Sequence, residues 1–352
     1  RPAGRAATGP REPRGGGRSS ALWIFKDAVV TPHGNIDKAN KTLDRHYGGC
    51  QPVTWMDDVG DDACGLRRGG RKCAGYARYY YHFVAELLPR VMYVREELPE
   101  LLSDHRTLFH MQVGEGPAPD AFHAWARLLG VRTSSGRGSR LVGGCWRAGT
   151  AVWPKTGGCC DQDPRAVTSM SALLRGAAVS AGPATASRTF RSTSAAAAGR
   201  EKPRPQALLL RRSKTRVLLN FDAVFSAIVT AGWDVFIHSD LKDVDVPAQC
   251  RMFHQADLIV GVKGAGLTNM LCARPGTSVV EIQASSFDDG CLAMERLAKT
   301  LGLLYASVKT QDPFSLPFNG SGTVNASAVH EIAVLLSQRG HSWERREAES
   351  PG

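Results

Sequence analysis

Residues 258–282 read LIVGVKGAGLTNMLCARPGTSVVEI. The apolar run 258–262 predicts a buried strand. Gly264 and Gly266 then form a glycine-rich turn, and a helix is expected from about Leu267. Pro275 and Gly276 turn the chain into a second apolar strand that ends on Glu281. A glycine turn lets main-chain N–H groups approach a ligand closely, and a helix N-terminus favours negative charge. The unit is suited to holding a phosphate or diphosphate. Turn formation alone is the other reading of the same glycines.

The pattern around this stretch is regular. Strands are expected at 207–211, 233–238 and 303–308, with helices near 220–231, 247–256 and 291–301. Strands alternating with helices predict an α/β fold with a doubly wound parallel sheet. In such sheets ligands bind beyond the carboxyl ends of the strands, where Gly264, Gly266 and Glu281 all fall. The turn is not a Walker loop, because no G-x-x-x-x-G-K-[ST] is present. It is not the dinucleotide fingerprint, because Gly261, Gly264 and Gly266 have the wrong spacing.

Two further segments bear chemistry. LLLRRSKTRVLLN (208–220) places Arg211, Arg212 and Arg216 between a strand and a helix. Arginine offers a planar fork that binds phosphate oxygens in pairs; a solvated basic turn is the alternative. YYYHFVAELLPR (79–90) sets His82 and Glu86 four residues apart on a predicted helix. Such a pair can deprotonate a hydroxyl or merely stabilise the helix. Pro89 is expected to kink or split that helix, which runs from Tyr79 to about Leu98. Asp161 with Asp163, and Asp243 with Asp245, have the Asp-x-Asp pattern of a cation site. Asp163 precedes Pro164 and reads as turn chemistry.

These three blocks, in this order, resemble glycosyltransferase family 61. The carriers are His82–Arg90 (His-aromatic-x-x-Glu-x-Leu-Pro-Arg), Arg211–Asn220 (Arg-x-x-x-x-Arg-x-x-x-Asn) and Gly261–Ile282 (Gly-x-x-Gly-Ala-Gly-Leu-Thr-Asn, then Pro-Gly-x-x-Val-Val-Glu-Ile). The resemblance implies a GT-B architecture of two facing Rossmann-like domains. It implies an inverting, metal-independent transferase with no cofactor, moving a sugar from a UDP-sugar to a glycan or protein hydroxyl. Xylose and N-acetylglucosamine are the donor sugars it points to first. Carried over by position, Arg211, Arg216 and Lys263 hold the diphosphate, with the amides of Gly264, Ala265, Gly266 and Leu267 assisting. Asn220, Thr268 and Asn269 complete the donor site, Glu281 accepts from ribose hydroxyls, and Glu86 with His82 activates the acceptor. The family usually carries His before Gly-Ala-Gly, where this chain has Lys263. That departure keeps open a catalytically inactive nucleotide- or glycan-binding member of the same scaffold.

Composition sets the rest. Of 352 residues, 43% are hydrophobic and the net charge is +11, enough apolar content for two domains and a charge that favours anionic ligands. Arg1, Arg5, Arg11, Arg14 and Arg18 lie in a Gly/Pro-rich stretch expected to be a disordered basic tail, 1–20. An acceptor-side domain is expected over 21–174, a low-complexity linker over 175–206, a nucleotide-sugar-binding domain over 207–335 and a polar tail over 336–352. A hairpin is expected from Leu141–Val142, Cys145–Trp146 and Ala151–Trp153. Lys and Arg are scattered and no nucleic-acid-binding motif occurs, so nucleic acid is not the expected partner. No run approaches the ~18 apolar residues of a membrane helix; the chain does not begin with Met, and an upstream signal or anchor is expected to remain possible. Of nine cysteines, Cys50, Cys64, Cys73, Cys145, Cys159 and Cys160 are candidates for disulfides, while Cys250, Cys272 and Cys291 read as buried thiols. Three of the six asparagines (Asn40, Asn319, Asn325) lie in glycosylation sequons. Together these favour the lumen of the Golgi or endoplasmic reticulum.

Overall fold

The computed structural model describes residues 22–30, 36–38, 80–103, 107, 109–110, 120–131, 141–142, 146–154, 162–180, 204–239, 245–284, 292–311 and 321–349. The expected basic tail, most of the expected linker and all cysteines except Cys250 and Cys272 lie outside these residues. The chain divides into two compact units, Arg1–Ala166 and Val167–Gly352.

In the first unit, strands β1 (Leu22–Val30) and β2 (Ile36–Lys38) pair antiparallel, and β1 also pairs along its length with β5 (Trp146–Pro154). β3 (Phe109–His110) pairs in parallel with β4 (Leu141–Val142). The expected hairpin over 141–153 is therefore not formed. Its two halves take partners distant in sequence, because β5 registers on β1 from Leu22↔Pro154 to Val30↔Trp146.

The predicted helix at 79–98 is split around Pro89. A π-helical turn, His82–Leu87, passes into a 3-10 turn, Leu88–Arg90, and then into α1 (Val91–Glu97). Proline has no N–H to give to the carbonyl four residues back. The ladder adjusts beforehand, with Leu88 N–H donating to Phe83 C=O. Phe83, Val84, Ala85 and Leu88 are buried. Phe83 stacks on Phe122 of α3 (Asp120–Leu128), ring centroids 3.8 Å apart. Trp125 of α3, fully buried, donates its indole N–H to Tyr80 Oη at 2.7 Å. The short α2 (Glu100–Ser103) follows α1.

α4 (Pro164–Ser180) is opened by Asp163, whose Oδ1 accepts from the amides of Arg165 (3.0 Å) and Ala166 (3.2 Å). Its Oδ2 accepts from the Tyr93 hydroxyl. Burial and this carboxylate raise the Tyr93 pKa, so the phenol stays protonated. The helix carries regular structure to Ser180, within the stretch expected as linker.

The second unit holds a five-stranded, wholly parallel sheet. Its strands are β6 (Gln206–Arg211), β8 (Asp234–Ser239), β9 (Leu258–Val262), β10 (Ser278–Gln283) and β11 (Leu304–Lys309), in spatial order β11-β10-β9-β6-β8. Every strand expected from the sequence is present within about two residues. β6 and β9 read as apolar runs because both of their faces are covered. On one face lie α5 (Phe221–Thr230) and α8 (Ala326–Glu349), packed on Leu209, Val260, Val280 and Ile282. Trp233 donates its indole N–H to Ala333 C=O at 3.1 Å and ties α8 to this core. Towards the other face lie α6 (Val246–Gln255), a 3-10 helix (Ala265–Cys272) and α7 (Ala293–Thr300). Asp245 caps α6, accepting from Ala248 N–H at 2.7 Å.

Cys250 of α6 and Cys272, the last residue of the 3-10 helix, are joined as a disulfide. Both are buried as expected, but they are not thiols: packing brings their Cα atoms to 5.1 Å across 22 residues of chain. Asn325 is exposed, and its Oδ1 accepts from Ser327 N–H at the start of α8. Among the described residues no helix is long and apolar enough to cross a membrane.

Candidate functional site

In chain order the five parallel strands take the positions 2-1-3-4-5. The order reverses between β6 and β9, which are neighbours in the sheet. In doubly wound folds the crevice at this reversal, beyond the carboxyl ends of the strands, is where ligands bind. The loop after β6 carries the arginines, and the loop after β9 is the glycine turn.

Strand alternation sorts the arginines. Leu209 faces the α5/α8 core, so Arg211 follows on that face, where its guanidinium lies over the Phe221 ring at 4.8 Å. Arg212 takes the opposite face and reaches the glycine turn. Its Nε donates to Thr215 C=O and its Nη2 to Thr215 Oγ1, both at 2.7 Å. This clamp fixes the fork. A Cβ added to Gly264 would overlap Arg212 Nη1 and stand 3.2 Å from Arg216 Nη1. Arg212 was not among the site residues carried over from the family pattern, although the two-residue period of a strand is a signal that separates it from Arg211.

Arg216 is a non-glycine residue with left-handed backbone, φ 53°. Its Nη1 donates to Lys263 C=O at 2.6 Å. The loop is pinned next to it: β7 (Val217–Leu218) pairs in parallel with β12 (Ser321–Gly322). Asn220 donates Nδ2 to Val324 C=O at 2.7 Å and accepts from Val324 N–H at 3.2 Å. Asn220 thus holds the loop in place with both ends of its amide.

The glycine turn leads directly into helix. Lys263 N–H donates to Ile282 C=O at 2.8 Å. The helix begins at Ala265, is 3-10 rather than α, and has its first ladder bond from Leu267 N–H to Gly264 C=O at 3.0 Å. The amides of Ala265 and Gly266 therefore precede the ladder, whereas that of Leu267 is inside it. Asn269 is buried and donates Nδ2 to Gln249 Oε1 at 2.9 Å. Thr268 is fully buried, and among the described residues its hydroxyl has no hydrogen-bond partner. Two guanidiniums converging on one glycine, beside amides that lead into a helix, form a positive cradle. Their mutual repulsion falls when an anion enters.

Glu281 of β10 is 1% exposed. Its Oε2 accepts from the Tyr305 hydroxyl and from Gln283 Nε2, the latter at 2.8 Å. Burial and this carboxylate push the Tyr305 pKa far above the usual tyrosine value, so Tyr305 is a donor here. His82 and Glu86 belong to the first unit. Their backbones lie on the π-helical turn, a feature common at functional sites; their side chains are outside the described residues. Asp163 and Asp245, the second residues of the two Asp-x-Asp pairs, are occupied as helix N-caps. Asp161 and Asp243 lie outside the described residues.

The sequence pattern of the Glycosyltransferase 61 family matches residues 80–280, more than half of the chain. This chain belongs to the glycosyltransferase 61 family. The match takes in the π-helical turn, the arginine loop and the glycine turn. Among curated proteins this chain is 31% identical over 81 residues to an alpha-1,3-arabinosyltransferase of Oryza sativa subsp. japonica. It is 37% identical over 79 residues to a beta-1,2-xylosyltransferase of the same plant. The aligned stretches make up 23% and 22% of this chain and 14% of each relative, so the chain spans a minor part of the relatives it matches. A solved oxidoreductase from Corynebacterium diphtheriae overlaps 39% of the chain at a TM-score of 0.28 and 9% identity, too distant to bear on the argument.

Proposed function

We propose that this family 61 glycosyltransferase is an inverting, metal-independent enzyme that moves a sugar from a UDP-sugar to a hydroxyl of a glycan or glycoprotein. The observation that carries the reading is the convergence of Arg212 and Arg216 on Gly264 at the strand-order reversal. The cradle takes the diphosphate, with the Lys263 ammonium and the amides of Ala265 and Gly266 adding positive potential. Glu86, backed by His82, takes the acceptor proton. The acceptor oxygen bonds to the anomeric carbon as the carbon–oxygen bond to the diphosphate breaks. That electron pair leaves on the UDP oxygen, where the arginines stabilise it.

The relatives support arabinose and xylose as sugars to test beside N-acetylglucosamine. The sequons and the family favour a Golgi or endoplasmic reticulum lumen, and the family favours a GT-B pairing of domains. The test is transfer from UDP-xylose, UDP-arabinose and UDP-N-acetylglucosamine to xylan and glycoprotein acceptors, in excess chelator, with the product anomer read by NMR. An inverted linkage formed in chelator is the expected result. Loss of activity in chelator would overturn metal independence, and a retained anomer would overturn inversion. Lys263, in place of the family histidine, favours one second reading: an inactive member that binds nucleotide without turnover.

A further inference from the structure

Gln283 ends β10, two residues beyond Glu281 and on the same side of the sheet. It is part-exposed, whereas Glu281 is buried. The Gln283 amide turns its nitrogen toward the Glu281 carboxyl, which accepts from it. That nitrogen lies 2.8 Å from Glu281 Oε2 and 3.1 Å from Tyr305 Oη. Tyr305 in turn donates to the same carboxylate oxygen. Both inward contacts of the amide are made by Nε2. Among the described residues nothing bonds to its Oε1, so the amide presents an acceptor of fixed orientation.

The acceptor stands at the carboxyl end of β10, the strand beside β9, whose loop is the glycine turn. The face is the one Arg212 and Lys263 share, since Glu281 is in register with Gly261. At Gly261 a Cβ would meet Leu210 at 3.0 Å, so no side chain of β9 intervenes there. In a nucleoside diphosphate, the ribose follows the phosphates. We infer that Gln283 is a specificity-determining residue that accepts a hydrogen bond from a ribose hydroxyl of the nucleotide, and that Glu281 and Tyr305 are positioning residues that lock its amide. The inference rests on the nucleotide reading of the arginine cradle. It assigns the sugar contact to Gln283, with the buried Glu281 acting through it.

The test is calorimetric binding of UDP, 2′-deoxy-UDP and 3′-deoxy-UDP to the whole chain and to Gln283→Leu, Gln283→Met, Glu281→Gln and Arg212→Ala. The unaltered chain should prefer UDP to one deoxy analogue by about tenfold, the scale of one buried hydrogen bond. Both Gln283 variants should bind all three equally, and Glu281→Gln, in which the amide can turn over, should lose most of the preference. Arg212→Ala should weaken all three alike and keep the ratio. A preference undiminished in either folded Gln283 variant, or absent from the unaltered chain, overturns the inference while the cradle stands. Failure of the unaltered chain to bind UDP overturns both.

Discussion

Arg216 donates its guanidinium to the main-chain carbonyl of Lys263 at 2.6 Å while holding a left-handed backbone, φ 53°. The bond joins the arginine loop to the glycine turn across the point where strand order reverses. A left-handed conformation costs an ordinary residue about 1–2 kcal/mol, and here that cost holds a cation against the turn.

Arg216→Gly and Arg216→Ala should therefore separate strain from charge. Both remove the guanidinium, and both should lower UDP affinity at least tenfold. Only glycine relaxes the backbone, so Arg216→Gly should be the more stable of the two by about 1 kcal/mol. Equal unfolding midpoints in urea would contradict the strain argument.

Arg211 and Arg212 are adjacent in sequence and opposite in placement. Arg212→Ala should cost about 1.5–3 kcal/mol of UDP binding. Arg211→Ala should leave UDP binding within about twofold, because it removes a contact to Phe221 of about 0.5–1 kcal/mol on the other face. Titration calorimetry on the pair decides which arginine serves the ligand.

Gly264→Ala places a methyl where Arg212 Nη1 now stands. The obstacle is the end of a flexible side chain, but Gly264 has φ 159° and ψ 179°, a region essentially reserved for glycine, so the variant should also lose about 1–3 kcal/mol of stability. UDP affinity should fall severalfold because the fork is displaced. A variant that binds UDP normally would show that the fork's position does not matter.

Asp245→Ala should destabilise by about 1 kcal/mol through the lost cap of α6 and leave sugar transfer unchanged. Transfer abolished in a folded Asp245→Ala protein, and restored by added Mn²⁺, would revive the Asp-x-Asp cation reading.

The second unit was legible because its central strands are buried on both faces. Runs such as 207–210 and 258–262 show themselves by apolar continuity alone. The split at Pro89 followed from proline's missing N–H. Pairing partners were not legible: the run at 146–154 is a strand, but nothing local says that it pairs with 22–30. The Cys250–Cys272 bond was hidden for a similar reason, since an apolar setting marks a cysteine as buried without saying what lies opposite. Within the candidate site, spacing marks the glycine turn and the arginine loop, and the structure brings Arg216 to the Lys263 carbonyl and Gly264. Strand alternation, not spacing, separates Arg212, which meets the glycine turn, from Arg211, which lies over Phe221. The direct ribose role expected for Glu281 took no account of its burial, which depends on Tyr305 and Gln283 closing over it.

The central claim is that Arg212, Arg216 and the Gly264–Gly266 turn hold a diphosphate, and a crystal structure of the chain with UDP tests it most directly. The account predicts pyrophosphate oxygens within about 3 Å of Arg212 Nη1, Arg216 Nη1 and the amides of Ala265 or Gly266. UDP bound with its phosphates away from the β6–β9 reversal, both arginines unmoved and distant, would contradict it.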